Sequence, residues 1–521
     1  MTHYGNLNFF SYPALVLYLN GVAYCLYDIV VRALPFELSK LASSWPYINI
    51  PGHLITTFFS VVGALSTYGT GYVLTRSKYY AVLGALLLFT SPLWNASAHF
   101  ITVDIPLSAL CALTLYATVV VIECYREITV KHIALLGILI GLTTSTKYNG
   151  ALIASSVAAA LWFRSKPSVK SVKLLGLCAL LALATFILLN PFIFINWKTF
   201  VSHFGYQYNS AVIGHPGYTA GSVHYHLSQS LYYGWGIPLL LISGCGAVVL
   251  LMSKEQRLYS KLAVLVFTIV HFLMLAGTQL SFQRYALPLI PFLAILAIYF
   301  VYQVGQSIRK YFRTHQQRLV WLVTSVALLA PLAANTSQSL RHNFLLQRKD
   351  TRNILREAFA ESSQVVNSQE IGAGAYSKDF LGPSTEVRSI ETSGDLDMIV
   401  FDSFTHDRYF YDPRLEFKVD FSRFSKGRVV AISPYDREKA VVPFSPESLY
   451  SPYPPDLEFR KRPGPYIEIY FTDATLAQHF SEAVARAGVG SKIGDTQQGY
   501  YYELLVNARV SALTSSSRKT D

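Results

Sequence analysis

Ten apolar runs, at roughly 53–75, 79–94, 105–124, 132–146, 150–163, 174–195, 231–252, 262–277, 286–305 and 319–334, are separated by short polar loops, and this spacing leaves few folds open. Inside a bilayer a segment must satisfy its own backbone polar groups, so runs of this kind fold as α-helices. An eleventh run, Ser11 to Leu34, carries Tyr12, Tyr18, Tyr24 and Tyr27, with Pro13 near its start and Asp28 inside it. It suits either a span or a helix lying along the membrane surface. Several runs fall short of the roughly 20 residues a span needs, which predicts tilted or irregular helices there. Only 14% of the 521 residues are charged and mean hydropathy is +0.33, whereas about a quarter of an ordinary soluble domain is charged. The expectation is an α-helical polytopic membrane bundle of about 10–11 apolar segments.

The charge follows the loops. Lysine and arginine total 43 against 31 acidic residues, and the excess collects in alternate loops. Arg76 and Lys78; Arg126 and Lys131; Arg164, Lys166, Lys170 and Lys173; Lys254, Arg257 and Lys261; and Arg309, Lys310, Arg313 and Arg318 mark the inside loops by the positive-inside rule. The intervening loops then face outside, and they hold the unusual polar residues: His99, Asp104, Lys147, the 196–230 loop and Arg284. No basic cluster with interleaved aromatics stands apart from the inside loops, so nucleic acid is not an expected partner.

Asn95 to Asp104 is a polar wedge between two apolar runs, and ionisable residues such as His99 and Asp104 at a membrane boundary point to a functional site. Lys147 has no acidic neighbour in sequence, so it either reaches the headgroups or faces an anionic ligand. Arg284-Tyr285, ahead of Pro288 and Pro291, sets a guanidinium where it can grip a phosphate or pair with Asp104. In the 196–230 loop, Gly214-His215-Pro216-Gly217 reads as a turn, while His224 and His226 alternate as on an extended segment. These histidines leave a divalent metal open, but no Cys, Asp or Glu stands at ligand spacing, and interfacial packing is the simpler reading. Cys25, Cys111, Cys124, Cys178 and Cys245 lie in or beside apolar runs and read as buried free thiols. Asn95-Ala96-Ser97 and Asn335-Thr336-Ser337 are acceptor sequons.

Beyond about residue 335 the pattern becomes that of a soluble α/β domain, ending in a polar tail over 511–521. Asp350 to Ser362 predicts a helix; Gln364–Asn367, Met398–Asp402, Arg428–Ile432 and Tyr466–Phe471 predict strands. Asp402-Ser403-Phe404-Thr405-His406-Asp407-Arg408 puts carboxylates and an imidazole at a strand end, as a binding edge or, more simply, a solvated loop.

Taken in order, Ala98-His99-Phe100-Ile101-Thr102-Val103-Asp104, Gly141 to Gly150 with Lys147-Tyr148-Asn149, Asn190-Pro191-Phe192, Gly214-His215-Pro216-Gly217 and Arg284-Tyr285-Ala286-Leu287-Pro288 resemble the GT-C membrane glycosyltransferases. The nearest likeness is to glycosyltransferase family 39, the protein O-mannosyltransferases and aminoarabinose transferases. The resemblance implies inverting transfer of a sugar from a polyprenyl-phosphate donor to an acceptor glycan, lipid or protein outside the membrane. It implies no cofactor beyond the donor lipid, and a location in a bacterial inner membrane with a C-terminal domain outside. It marks Lys147, Tyr148, Asn149, His215, Arg284, Tyr285 and Tyr12 as substrate-binding residues, and Asp104 and His99 as active-site candidates. The family's first helix and the acidic pair that supplies its base have no counterpart before Asn6, so residues 1–52 resemble part of the first outer loop, ahead of a membrane domain over 53–334 and a soluble domain over 335–510. The alternatives are a non-catalytic homologue in envelope glycan assembly and a multi-pass transporter or flippase.

Overall fold

The structure is a computed structural model and describes residues 9–43, 47–165, 167–214, 222–252, 258–279, 281–311, 314–362, 371–373, 381, 387–389, 396–403, 406, 424, 429–435 and 459–487. The described residues divide into two compact units, one up to Ser339 and one from Leu340 onward.

The first unit is helical. Its longer helices are α1 (Leu15–Arg32), α2 (Phe36–Ala42), α3 (Ile50–Thr75), α4 (Lys78–Thr90), α5 (Pro92–Ala98), α6 (Asp104–Cys124), α7 (Val130–Thr144), α8 (Ile153–Ser165), α9 (Val169–Leu189), α10 (Trp197–Ile213), α11 (Ile237–Met252), α12 (Leu258–Ala276), α13 (Ile290–Tyr311) and α14 (Thr314–Leu346), whose residues from Leu340 on are counted in the second unit. Among the described residues, six helices are long and apolar enough to cross a membrane, and up to eight if each of two bent pairs is one span. The tally is lower than the eleven apolar runs because the runs at 132–146 and 150–163 form helices of only 15 and 13 residues and the run at 319–334, within α14, is not among the spans. The run at 79–94 is bent by 63° between α4 and α5, where Pro92 ends the ladder and Ser91 caps α5 by accepting from Trp94 N. A second bent pair joins Val223–Gly234 to α11 at 108°.

In a bilayer, helices associate through close packing and side-chain hydrogen bonds rather than through the hydrophobic effect. Small polar residues do this here. Trp94 Nε1 donates to Ser60 Oγ at 2.9 Å, Ser243 Oγ to the Leu293 carbonyl at 3.0 Å and Ser91 Oγ to the Gly234 carbonyl at 2.6 Å. Helix α6 is the centre of the bundle and packs on α3, α7, α8 and α12. Cys111 and Cys178 are buried as expected, but Cys25, Cys124 and Cys245 are exposed on helix faces turned away from protein neighbours.

The second unit is a mixed α/β layer. Its helix α15 (Thr351–Glu361) is capped by Asp350, whose side chain accepts from Arg352 N at 2.8 Å. Helix α16 (Ala474–Arg486) is capped in the same way by Asp473. Strands β1 (Ile371–Ala373), β2 (Val387–Ser389), β3 (Met398–Asp402), β4 (Val429–Ile432) and β5 (Ile467–Phe471) form one sheet in the order β2-β1-β3-β5-β4. The β1 pairings are parallel and the β5 pairings antiparallel. Met398, Val400, Ile467, Ile469 and Phe471 join Ile354, Leu355, Phe359 and Phe480 from the helices in one core. Glu468 points to the opposite face, 2% exposed, and accepts from the Tyr466 and Tyr470 hydroxyls at 2.6 and 2.7 Å.

The fold class is therefore the expected one, a helical membrane bundle followed by an α/β unit, with local corrections. Asp402 and His406 are fully buried, and Asp402 N donates to His406 Nδ1 at 2.9 Å, so these two side chains are not solvated; Phe404, Thr405, Asp407 and Arg408 lie outside the described residues. The strand expected at Gln364–Asn367 lies outside the described residues. The sequence reading missed β1, β2 and α16.

Candidate functional site

Three interruptions of helical structure come together in the first unit. The first is the turn 99–103, after which Asp104 opens α6, where a carboxylate is favoured by the unpaired amides of the first turn. The second follows α7: Ser145 caps the helix, Lys147 is extended (φ −156°, ψ 139°), and a 3-10 turn, Tyr148–Leu152, leads into α8. Gly150 makes that turn feasible, since a Cβ there would stand 2.4 Å from the Thr143 carbonyl oxygen. The third is the 3-10 turn Gln283–Leu289, with Pro288 inside it, between α12 and α13.

These breaks project three charges onto one point. Lys147 Nζ lies 2.8 Å from Asp104 Oδ1, and Arg284 Nε lies 3.5 Å from Asp104 Oδ2. The Asp104 side chain is 5% exposed and its two partners 12% and 14%. Aromatic rings wall the cations: Lys147 Nζ is 4.3 Å from the centre of the Tyr285 ring and 5.7 Å from that of Tyr12, while Arg284 lies 4.1 Å over Phe282. Burial works against the Lys147 ammonium, but Asp104, Tyr285 and Tyr12 outweigh it and hold the lysine pKa above its ordinary value. Among the described residues one carboxylate stands between two cations, an excess of one positive charge suited to an anion.

The shell around it joins the expected substrate-binding residues Tyr148 and Asn149 to Asn190, read from sequence only as part of a motif, and to Ser145 and Phe10, which had no role assigned. Asn190 Oδ1 accepts from Ala14 N at 2.8 Å and its Nδ2 donates to Ser145 Oγ at 2.9 Å. Leu15 N donates to the Ser145 carbonyl. These bonds seat the chain before α1, and with it Tyr12, beside Lys147. The Tyr148 hydroxyl donates to the Phe10 carbonyl at 2.9 Å, and its ring packs on Phe200 and Phe204 of α10. Asn149 Oδ1 is buried without a hydrogen-bond partner. The Asn-Pro dipeptide at 190–191 was the one available signal for Asn190; Ser145 and Phe10 gave none.

The other sequence candidates fall elsewhere. His99 is exposed at the C-terminal end of α5, in contrast to buried Asp104. His215 lies outside the described residues. His224 and His226 are not on an extended segment; they belong to a helical stretch whose middle, His226–Leu231, is π-helical, and His226 is fully buried. Among the described residues no group of three or more His, Cys, Asp and Glu side chains is placed to hold a metal. The sequon residue Asn335 is 6% exposed and donates to the Trp235 carbonyl at 3.1 Å, so its amide is engaged in packing.

In class, the chain resembles the GT-C membrane glycosyltransferases, as its motif order implied. In particular, residues 50–190 match the family model described as dolichyl-phosphate-mannose-protein mannosyltransferase. That stretch, rather more than a quarter of the chain, contains Asp104, Lys147, Tyr148, Asn149 and Asn190 but not Tyr12 or Arg284. No curated protein sequence matches the chain. Among solved structures, ArnT from Cupriavidus metallidurans bound to undecaprenyl phosphate is 14% identical, covers 77% of this chain and 84% of its own, and has a TM-score of 0.45. Its apo state, also 14% identical, covers 91% and 90%, with a TM-score of 0.48. The archaeal oligosaccharyltransferase AglB from Archaeoglobus fulgidus, in complex with an inhibitory peptide and a dolichol-phosphate, is 12% identical with a TM-score of 0.49. It covers 81% of this chain, which spans 65% of AglB.

Proposed function

We propose that this chain is a membrane glycosyltransferase that moves a sugar from a polyprenyl-phosphate donor to an acceptor glycan, lipid or protein on the outer face of a cell membrane, inverting the anomeric carbon. The observation that carries the reading is the pairing of Lys147 and Arg284 on the carboxylate of Asp104. A donor phosphate entering this point meets two cations already oriented and shielded from water, where charge stabilisation is strongest. As the glycosidic bond to phosphate breaks, negative charge grows on the departing phosphate oxygens, and Lys147 and Arg284 take it up. Asp104 has both oxygens turned to cations, so its part is to hold them in register rather than to accept the acceptor's proton. Tyr12 and Tyr285, whose rings flank Lys147, offer apolar faces suited to the first isoprene units. The outer-face assignment rests on the alternation of basic loops.

The test is transfer by purified protein in nanodiscs, supplied with radiolabelled undecaprenyl-phosphate sugars and a membrane extract of acceptors. Lys147→Met and Arg284→Met should each lower turnover by about 10²–10³-fold, the effect of removing one charge-stabilising donor. Undiminished label transfer in either variant refutes the assignment. A wild type that moves the lipid across the bilayer without releasing sugar would favour the transporter.

A further inference from the structure

Among the described residues, His226 Nε2, His271 Nδ1, Ser281 Oγ and Gln283 Nε2 are buried and have no hydrogen-bond partner. His226 is 0%, His271 1%, Ser281 1% and Gln283 7% exposed. Buried polar atoms are nearly always paired, so four unpaired ones on adjoining segments mark a place prepared for a polar ligand.

Their placement connects them to the cation pair. Gln283 precedes Arg284, and Ser281 stands two residues before Gln283. His271, on α12, faces the Tyr285 carbonyl with Nε2 at 3.0 Å. His226 lies in the π-helical turn, which packs against the 3-10 turn carrying Arg284 and Tyr285. Its ring is within electrostatic reach of His271, and His271 in turn of Lys147. A π turn widens a helix by one residue and is common at functional sites.

The chemistry of the four atoms narrows the ligand. A nitrogen facing a carbonyl must carry the proton, so His271 donates through Nε2 and leaves Nδ1 as a bare acceptor. Gln283 Nε2 is a donor, and Ser281 Oγ serves as either. His226 Nδ1 meets Ser230 Oγ at 2.9 Å, which leaves Nε2 as donor or acceptor according to the tautomer. The set is uncharged as it stands and mixes both senses. An anion would leave the His271 lone pair opposed; hydroxyl groups, each a donor and an acceptor, satisfy all four.

We propose that His226, His271, Ser281 and Gln283 form the subsite that receives the hydroxyls of the transferred sugar, beside the phosphate held by Lys147 and Arg284. The proposal rests on the polyprenyl-phosphate reading above. It makes these four side chains the determinants of which sugar is accepted.

The experiment measures binding to the full chain in nanodiscs of two kinds of probe: undecaprenyl phosphate, and its esters with mannose, glucose and 4-amino-4-deoxyarabinose. Wild type should bind at least one ester more tightly than the sugar-free lipid. Ser281→Ala and His226→Phe, which keep side-chain shape, should each cut that preference about tenfold or more, because a substrate hydroxyl then loses its partner. Binding of undecaprenyl phosphate itself should not change; thermal stability should hold or rise in Ser281→Ala, where only an unpaired buried polar atom is removed, whereas His226→Phe also loses the bond to Ser230 Oγ and is read by its ratio of ester to sugar-free binding. Equal weakening of both lipids, or an unchanged preference, overturns the subsite. A wild type that binds undecaprenyl phosphate but prefers no ester also overturns the subsite while leaving the phosphate reading intact. A wild type that binds no polyprenyl phosphate refutes both.

Discussion

The ion pair between Asp104 and Lys147 gives the sharpest test of how the site is held. At an effective dielectric of about 20, two unit charges 2.8 Å apart attract by roughly 6 kcal/mol, and at 3.5 Å, the Arg284 distance, by about 5 kcal/mol. Desolvation offsets much of this, but breaking a buried pair leaves the survivor uncompensated at a net cost of about 3–5 kcal/mol. Asp104→Asn strands two cations, and Lys147→Met leaves Asp104 with Arg284 alone. The double variant removes one charge of each sign, so it should be less destabilised than the sum of the two by about 1–3 kcal/mol. The assay is a double-mutant cycle on equilibrium unfolding of the detergent-solubilised chain, scored by tryptophan fluorescence. Additivity within about 0.5 kcal/mol would show that the two groups are not coupled, and the argument that Asp104 orients Lys147 would fall.

Three further outcomes follow from geometry elsewhere. Gly464 has φ +102° and a Cβ there would lie 2.1 Å from Thr351 Oγ1, so Gly464→Ala should destabilise the α/β unit by about 1–3 kcal/mol, read by limited proteolysis; Gly205→Ala, in α10 with nothing within 4 Å, should be neutral or stabilising by up to about 1 kcal/mol. Glu468→Gln weakens the shared acceptor of two tyrosine hydroxyls and should cost about 1–3 kcal/mol, whereas protease resistance equal to wild type would contradict the burial of that carboxylate. Because the Lys147 pKa is raised above 10.5, the stability its ammonium contributes is complete below that value and is lost only as pH climbs through the folded pKa; transfer rates should show no lysine-dependent fall between pH 6 and 9, and one that disappears in Lys147→Arg would refute this.

The sequence exposed the ionisable members of the site, because a charge at the edge of an apolar run is conspicuous. It also allowed Arg284 to pair with Asp104. It gave no sign that Lys147 does so, since the partners are 43 positions apart and only the packing of α6 against α7 joins them. The alternation of His224 and His226 imitated a strand period, but a π turn inside an aromatic helical stretch yields the same spacing with opposite burial. Strand Met398–Asp402 matched its expected bounds because five apolar or pairing residues stand in a row, while Ile371–Ala373 is too short to display any period. Asp402 and His406 looked solvated by composition; only tertiary burial reveals that they are not.

The position of β5 in the sheet sets a timetable for synthesis. Among the described residues it is the last strand in sequence, yet it stands between β3 and β4, and β4 has no other partner there. A nascent chain released as far as β4 has the bundle's helices ready for insertion while β3 and β4 still present open edges. Until residues 467–471 emerge from the ribosome, those edges are templates for pairing with other chains. Translation that stalls or terminates before Ile467 should therefore yield membrane-inserted but aggregating product.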